Sequence, residues 1–154
     1  MQRHTALFLG ITLITVPTIA YGGLTILGIL TQGVAGAPGP TGLTELQVAL
    51  YRAGHAHAGV LLVLSLVLQI ALEHARMAEG ARLAARIAAP LAAILVSGGF
   101  FALAHAPVGR LVLYAGVVSF ALAVLAAGIG LLRAGAARRA VDPPADPSVV
   151  SRAR

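Results

Sequence analysis

The chain contains no cysteine, no tryptophan and no lysine, and only five of its 154 residues are acidic. Without cysteine there are no disulfides, no thiolate metal ligands and no thiol nucleophile. Histidine and a handful of carboxylates are then the remaining candidates for ligand chemistry. The acidic residues Glu45, Glu73, Glu79, Asp142 and Asp146 do not combine with a histidine and a serine into anything that reads as a nucleophilic triad, and no enzyme is expected. Charged residues make up 10% of the chain, where a soluble domain carries about 25%. That deficit argues against a water-soluble fold.

What fills the chain instead is apolar sequence: 58% of the residues are hydrophobic and the mean hydropathy is +0.91. Four stretches are long enough to cross a hydrocarbon layer about 30 Å thick, which takes roughly 20 helical residues. They run from Ala6 to Leu30, Leu46 to Leu72, Ile87 to Ala106 and Leu111 to Leu132. The expected fold is therefore all-α, a four-helix transmembrane bundle occupying residues 1–135 of a multi-pass cell-membrane protein. The first stretch has some likeness to a cleaved signal peptide, since Arg3 precedes it and Thr18-Ile19-Ala20 suggests a cleavage site. The run continues through Tyr21 to Leu30, longer than a signal core needs, and is read as a span.

All basic residues are arginines, and their positions set an expected orientation, because short cytoplasmic loops are enriched in positive charge. Arg3, Arg76, Arg82, Arg86, Arg133, Arg138, Arg139, Arg152 and Arg154 fall on one side, Arg52 and Arg110 on the other. Both termini are accordingly placed in the cytoplasm. The net charge of +6 follows from this topology and from contacts with lipid headgroups, so no nucleic-acid partner is expected. The stretch Thr31 to Gly42, TQGVAGAPGPTG, reads as an irregular outer turn. Residues 136–154, which include VDPPADPSVVSRAR, read as a disordered cytoplasmic tail.

The most informative local feature is RAGHAHAG, Arg52 to Gly59, at the mouth of the second apolar run. Ionisable groups are costly in hydrocarbon and their presence there points to function. At 100° per residue, Gln47, Tyr51, His55, Gly59, Ser65, Gln69 and Glu73 share a sector of about 120°, expected to face the bundle interior. Leu50, Ala53, His57, Leu61, Leu64 and Leu68 lie opposite, so His55 and His57 point about 200° apart. Small residues line one side of the first span (Thr12, Thr15, Thr18, Gly22, Thr25) and of the fourth (Gly116, Ser119, Ala123, Ala126, Gly130). Such stripes are packing signals first.

The third span ends in FFALAHAP, which brings His105 to the outer level of His55 and His57. Imidazole is a frequent ligand for haem iron, copper and zinc, and bundle cores host such sites. His4 and His74, by contrast, sit in exposed flanks and read as solvated.

The His-x-His triplet of His55 and His57 inside a membrane helix resembles the haem-ligand helix of the haem-copper oxidase catalytic subunit and of shorter membrane haem proteins related to it. In those proteins neighbouring histidines serve different haems. The likeness covers this one helix; the family's other ligand motifs are absent, so a complete oxidase site is not implied. What it implies is binding of haem or copper, and imidazole chemistry alone widens the expectation to haem or a transition metal such as copper or zinc. His55 and His105 would be the metal ligands, His57 and Arg52 would complete the cofactor contacts, and Arg52 would pair with a haem propionate or with Glu45. The leading expectation is electron transfer, sensing or support of a membrane assembly. The alternatives are an accessory or scaffold subunit with structural histidines, forming a homo-oligomer or joining a partner membrane subunit, and a proton-coupled transporter using His55, Ser65, Gln69 and Glu73 as a relay.

Overall fold

A computed structural model describes residues 3–141 as five helices: α1 (Arg3–Ile14), α2 (Val16–Leu30), α3 (Glu45–His74), α4 (Glu79–Leu103) and α5 (Gly109–Val141). There is no strand among the described residues. Taken together, α1 and α2 make one membrane-length unit, and α3, α4 and α5 make three more, so four helices are long and apolar enough to cross a bilayer. The chain is thus an all-α bundle with the composition of an integral membrane protein.

Element boundaries differ from the sequence expectation in three places, each for a local reason. The first span is not continuous. Pro17 has no N–H to reach the carbonyl of Leu13, and the helix breaks at Thr15. Around the break, threonine hydroxyls donate to backbone carbonyls: Thr12 to Phe8 at 2.7 Å, Thr15 to Thr12 at 2.7 Å and Thr18 to Thr15 at 2.6 Å. With no water in hydrocarbon, these hydroxyls are satisfied within their own span.

The third apolar stretch starts earlier than Ile87. Helix α4 begins at Glu79, so Arg86 lies within it rather than at its flank, roughly 10 Å along the axis at 1.5 Å per residue. The fourth runs on beyond Leu132 to Val141, so the tail expected from residue 136 begins with helix; its remaining residues, 142–154, lie outside the described ones.

Helix α3 is the hub. It contacts α4 on one side and α1 and α2 on another, with α5 packed mainly against α4. This explains why Leu61 and Leu68, expected opposite the interior stripe, are buried along with Ser65 and Gln69. An amphipathic reading assumes one buried face, and a helix with neighbours on two sides has more than one. The α4–α5 contact is made by small residues. A Cβ added to Gly99 would come within 2.5 Å of the Leu113 nitrogen, and one on Gly116 within 2.8 Å of the Val96 nitrogen. Close backbone approach of this kind supplies van der Waals contact where lipid provides no hydrophobic drive between helices. Ala85, Ala89, Ala123 and Ala127 continue the seam toward Leu68 and Leu72 of α3.

One polar contact crosses this core. Pro90 lacks the N–H that would bond the carbonyl four residues back, at Arg86. That carbonyl instead accepts Gln69 Nε2 at 2.8 Å, while Arg86 Nη1 donates to the Gln69 backbone oxygen at 3.2 Å and to its Oε1 at 3.1 Å. Arg86 is 1% exposed and Gln69 0%. Glu73, one turn further along α3, adds negative charge to the surroundings of the guanidinium. The clamp joins α3 to α4 and satisfies both the proline's orphaned carbonyl and a buried cation.

Substituting Gln69→Leu removes the two bonds made by the glutamine side chain and should destabilise the bundle by about 2 kcal/mol, since a buried polar group left unpaired costs more than its bond contributed. In a Pro90→Ala background, where the restored backbone N–H can donate to the Arg86 carbonyl, the same change should cost about 1 kcal/mol less. Unfolding in mixed micelles of dodecyl maltoside and SDS, run as a double-mutant cycle, measures both; zero coupling would disprove the link to proline.

Candidate functional site

The polar residues singled out from the sequence gather at the end of the bundle away from most of the arginines, where α3 begins and α4 ends. Thr44 caps α3: Gln47 N–H donates to Thr44 Oγ1 at 3.3 Å, and Thr44 N–H donates to Gln47 Oε1 at 3.0 Å, a reciprocal capping box. The other half of the Gln47 amide, Nε2, donates to the carbonyl of Ala104 at 3.1 Å, one of the acceptors orphaned where α4 stops. Gln47 therefore closes one helix and tethers the end of another.

One turn on, Tyr51 Oη and His105 Nε2 are 2.9 Å apart, with the rings edge-on at 84°. Tyr51 also lies against Phe101, centroids 5.5 Å apart. A further turn brings Gly54, where an added Cβ would stand 2.5 Å from Phe101 Cε1. Gln47, Tyr51 and Gly54 thus form a continuous stripe of α3 fitted to Phe101, Ala104 and His105. Gly54 is buried because the phenyl ring occupies the space a side chain would take.

The histidines of the triplet leave this stripe in two other directions. The half-buried His55 ring lies over Gly22 and Gly23 of α2; the positions a Cβ would take on those glycines are 3.3 Å from His55 Nδ1 and 3.5 Å from its Nε2. No hydrogen bond joins His55 to another described side chain or backbone group. His57 is exposed. Its Nδ1–H donates to the Ala53 carbonyl at 2.7 Å, and its ring packs on Phe100 with centroids 4.9 Å apart. In the neutral ring this tautomer makes Nε2 of His57 the acceptor nitrogen.

The three imidazoles expected to converge are therefore distributed: His55 toward α2, His57 toward Phe100, and His105 onto Tyr51. Among the described residues there is no group of three or more histidine, cysteine or carboxylate side chains placed to hold a metal ion. A histidine cluster is thus not shown among the described residues; as expected for positions two apart on one helix, His55 and His57 face different neighbours. Arg52 is exposed and forms no ion pair with Glu45 among the described residues. On the transporter stripe, the Ser65 hydroxyl donates to the Leu61 carbonyl at 2.7 Å and Gln69 is held in its clamp with Arg86.

Three contributors go beyond the sequence expectation. Arg86 reads by composition as a flanking arginine; the signal that places it inside is Pro90, four residues on, which leaves the Arg86 carbonyl in need of a donor. Gln47 belongs to the expected stripe, and the Thr44-x-x-Gln47 spacing marks it as a cap as well. Phe101 shares a side with His105 in sequence, but its fit against Gly54 depends on the crossing of two helices.

Because Gly54 has no room for a methyl, Gly54→Ala should lower stability by about 2 kcal/mol. Tyr51→Phe keeps the ring packing and loses only the bond to His105, so about 1 kcal/mol is expected. It should also speed carbethoxylation of His105, followed by mass spectrometry, without altering that of His57; equal rates in the two proteins would show that Tyr51 does not hold the imidazole.

No family model matches this chain, and no curated protein or solved structure matches it either.

Proposed function

We propose that the protein is a non-catalytic accessory or scaffold subunit of a membrane assembly, in which the polar residues near the start of α3 serve to join helices. The observation that carries this reading is the direction of the polar contacts: Gln47 to Ala104 and Tyr51 to His105 both run from α3 to the end of α4. They are spent on tying two spans together. The unit made by α1 and α2 offers a surface for association. Only 11% of its most apolar stretch is buried, against 33% for α4. A peripheral helix with one thinly covered side suits a second copy of the chain or a partner membrane subunit.

A second reading, binding of haem or a transition metal, is favoured by one specific feature of His57. Histidine ligands commonly donate their other ring N–H to a backbone carbonyl, which fixes the tautomer and raises the basicity of the ligating nitrogen. His57 has this arrangement with Ala53, and its Nε2 is on the exposed side. His55, lacking a hydrogen bond, points elsewhere. Each could supply a single ligand, with the second coming from His105 or from another copy, and Arg52 at the same end could meet a propionate.

One preparation separates the two readings. For the accessory subunit, the purified protein shows no Soret band and no stoichiometric metal, and His105→Ala lowers thermal stability while His57→Ala leaves it unchanged. A Soret band or bound metal that disappears in His57→Ala or His55→Ala would overturn that reading in favour of the second.

A further inference from the structure

At the end of the bundle where most of the arginines gather, the short link between α3 and α4 lies against α5. Arg76 N–H donates to the Gly130 carbonyl at 2.8 Å, and a Cβ added to Gly130 would stand 2.9 Å from that of Ala75. The glycine lets the link come this close, and the backbone bond holds it there. Arg76 is thereby set beside Arg133, which follows Gly130 by about one helical turn, and the two line an open cleft of about 520 Å³ with Met77, Ala136 and Ala137. Met77 packs against the buried core, so the floor of the cleft is apolar.

The charge of this cleft is of one sign. No carboxylate of the described residues lines it, and neither guanidinium has a hydrogen bond or ion pair with a described residue. The neighbouring cations are already engaged: Arg82 pairs with Glu79, and Arg86 is held in its clamp with Gln69. Arg76 and Arg133 are both exposed, and like charges lining one cleft repel unless an anion lies between them. Their depth indicates which anion. Arg133 is the first charged residue after the uncharged run Leu111 to Leu132, about 33 Å of helix at 1.5 Å per residue, against a hydrocarbon layer of about 30 Å. Arg76 likewise follows the apolar run of α3, which ends at Leu72. Both therefore sit at the level of lipid phosphates. From the cleft an apolar path runs into the membrane, because the exposed Leu125, Ile129 and Leu132 share the face of α5 that carries Ala136.

We infer that this cleft binds the phosphate group of an anionic lipid, with the Arg76 and Arg133 guanidinia donating to its oxygens and the acyl chains lying along Leu132, Ile129 and Leu125. A guanidinium presents paired N–H donors whose geometry matches phosphate. A soluble phosphorylated compound shares the headgroup chemistry but has no tail for the apolar face of α5. Two arginines form the site, and the others at this end contribute only a general attraction to anionic surfaces. His55, His57 and His105 lie at the opposite end of the bundle, so the test does not depend on their role.

Arg138 and Arg139 are exposed and line no part of the cleft, which makes them a control for charge alone. The experiment is native mass spectrometry of the full chain released from nonionic micelles and titrated with dioleoylphosphatidylglycerol or with its zwitterionic counterpart, dioleoylphosphatidylcholine. Expected is a first phosphatidylglycerol bound about fivefold or more tighter than phosphatidylcholine, and weakened about fivefold by Arg76→Gln and by Arg133→Gln, the scale of one basic residue at a membrane surface. The double variant Arg138→Gln/Arg139→Gln removes two charges and should leave the affinity for that first lipid unchanged. Glycerol 1-phosphate at roughly thousandfold excess should not displace the lipid, because charge alone then lacks the contribution of the buried chains; displacement would assign the cleft to soluble phosphates and overturn the lipid site. Equal affinity for the two lipids, or an equal loss in the Arg138/Arg139 double variant, would also overturn it. So would phosphatidylglycerol binding that appears only in Asp142→Asn/Asp146→Asn, since the carboxylates that follow α5 in the sequence would then be the occupants. Helicity by circular dichroism and a monodisperse elution profile confirm that each variant is folded.

Discussion

In a hydrocarbon solvent every backbone donor and acceptor must find its partner within the protein, and the bundle is organised around the two places where proline breaks that rule. At Pro90 the freed carbonyl of Arg86 is met by a side chain from a different helix. The guanidinium of the same arginine returns bonds to the backbone and side chain that met it. Because three bonds are exchanged between two residues, the relative rotation and depth of α3 and α4 are fixed together. At Pro17 the helix breaks, and the threonine hydroxyls around the break donate to the carbonyls of Phe8, Thr12 and Thr15 within the same span rather than to a neighbouring helix. The difference accounts for the architecture: α3 and α4 are locked, and the first span is held loosely at the side.

The other contacts of the core follow from the lock. With α3 and α4 set in register, the face carrying Gln47, Tyr51 and Gly54 meets Phe101, Ala104 and His105 at one end. At the other end, Arg82 donates to the carbonyl of Ala75, the residue that caps α3, and pairs with Glu79 at 2.6 Å. Helix α5 approaches α4 closely at Gly99 and Gly116, and one backbone bond runs to it from Arg76 N–H to the Gly130 carbonyl at 2.8 Å. Polar groups therefore place α3 against α4, and shape complementarity places α5.

The same division explains what the histidines do. A His-x-His pair on a helix cannot direct both rings to one point, and here the neighbours on two sides of α3 receive one each. His55 meets a flat patch made by two glycines, and His57 lies on an aromatic ring with its tautomer fixed by the Ala53 carbonyl. His105 stands beyond the last residue of α4, where Tyr51 reaches it. Their chemical availability differs accordingly: one imidazole is bonded by a phenol, one presents an exposed Nε2, and one is half-buried without a bond.

The number of spans, their approximate limits and the burial of Ser65 and Gln69 on α3 were written in the sequence. Apolar length and helical periodicity are local properties, and hydrocarbon enforces them helix by helix. The Thr44-Gln47 cap and the small-residue seam of α5 are legible for the same reason. Which histidine meets which neighbour was not, because a residue's angle on its own helix says nothing of which helix stands opposite. Arg86 shows the limit most clearly. By composition it belongs with the other interfacial arginines; Pro90 marks its carbonyl as orphaned, but only the pairing of α3 with α4 supplies the glutamine that makes the buried cation tolerable. The sequence by itself determined that the chain would be a set of apolar helices with a few polar groups to satisfy; the tertiary structure decided which groups satisfy one another, because partners on different helices are chosen by packing, and packing is not a local property.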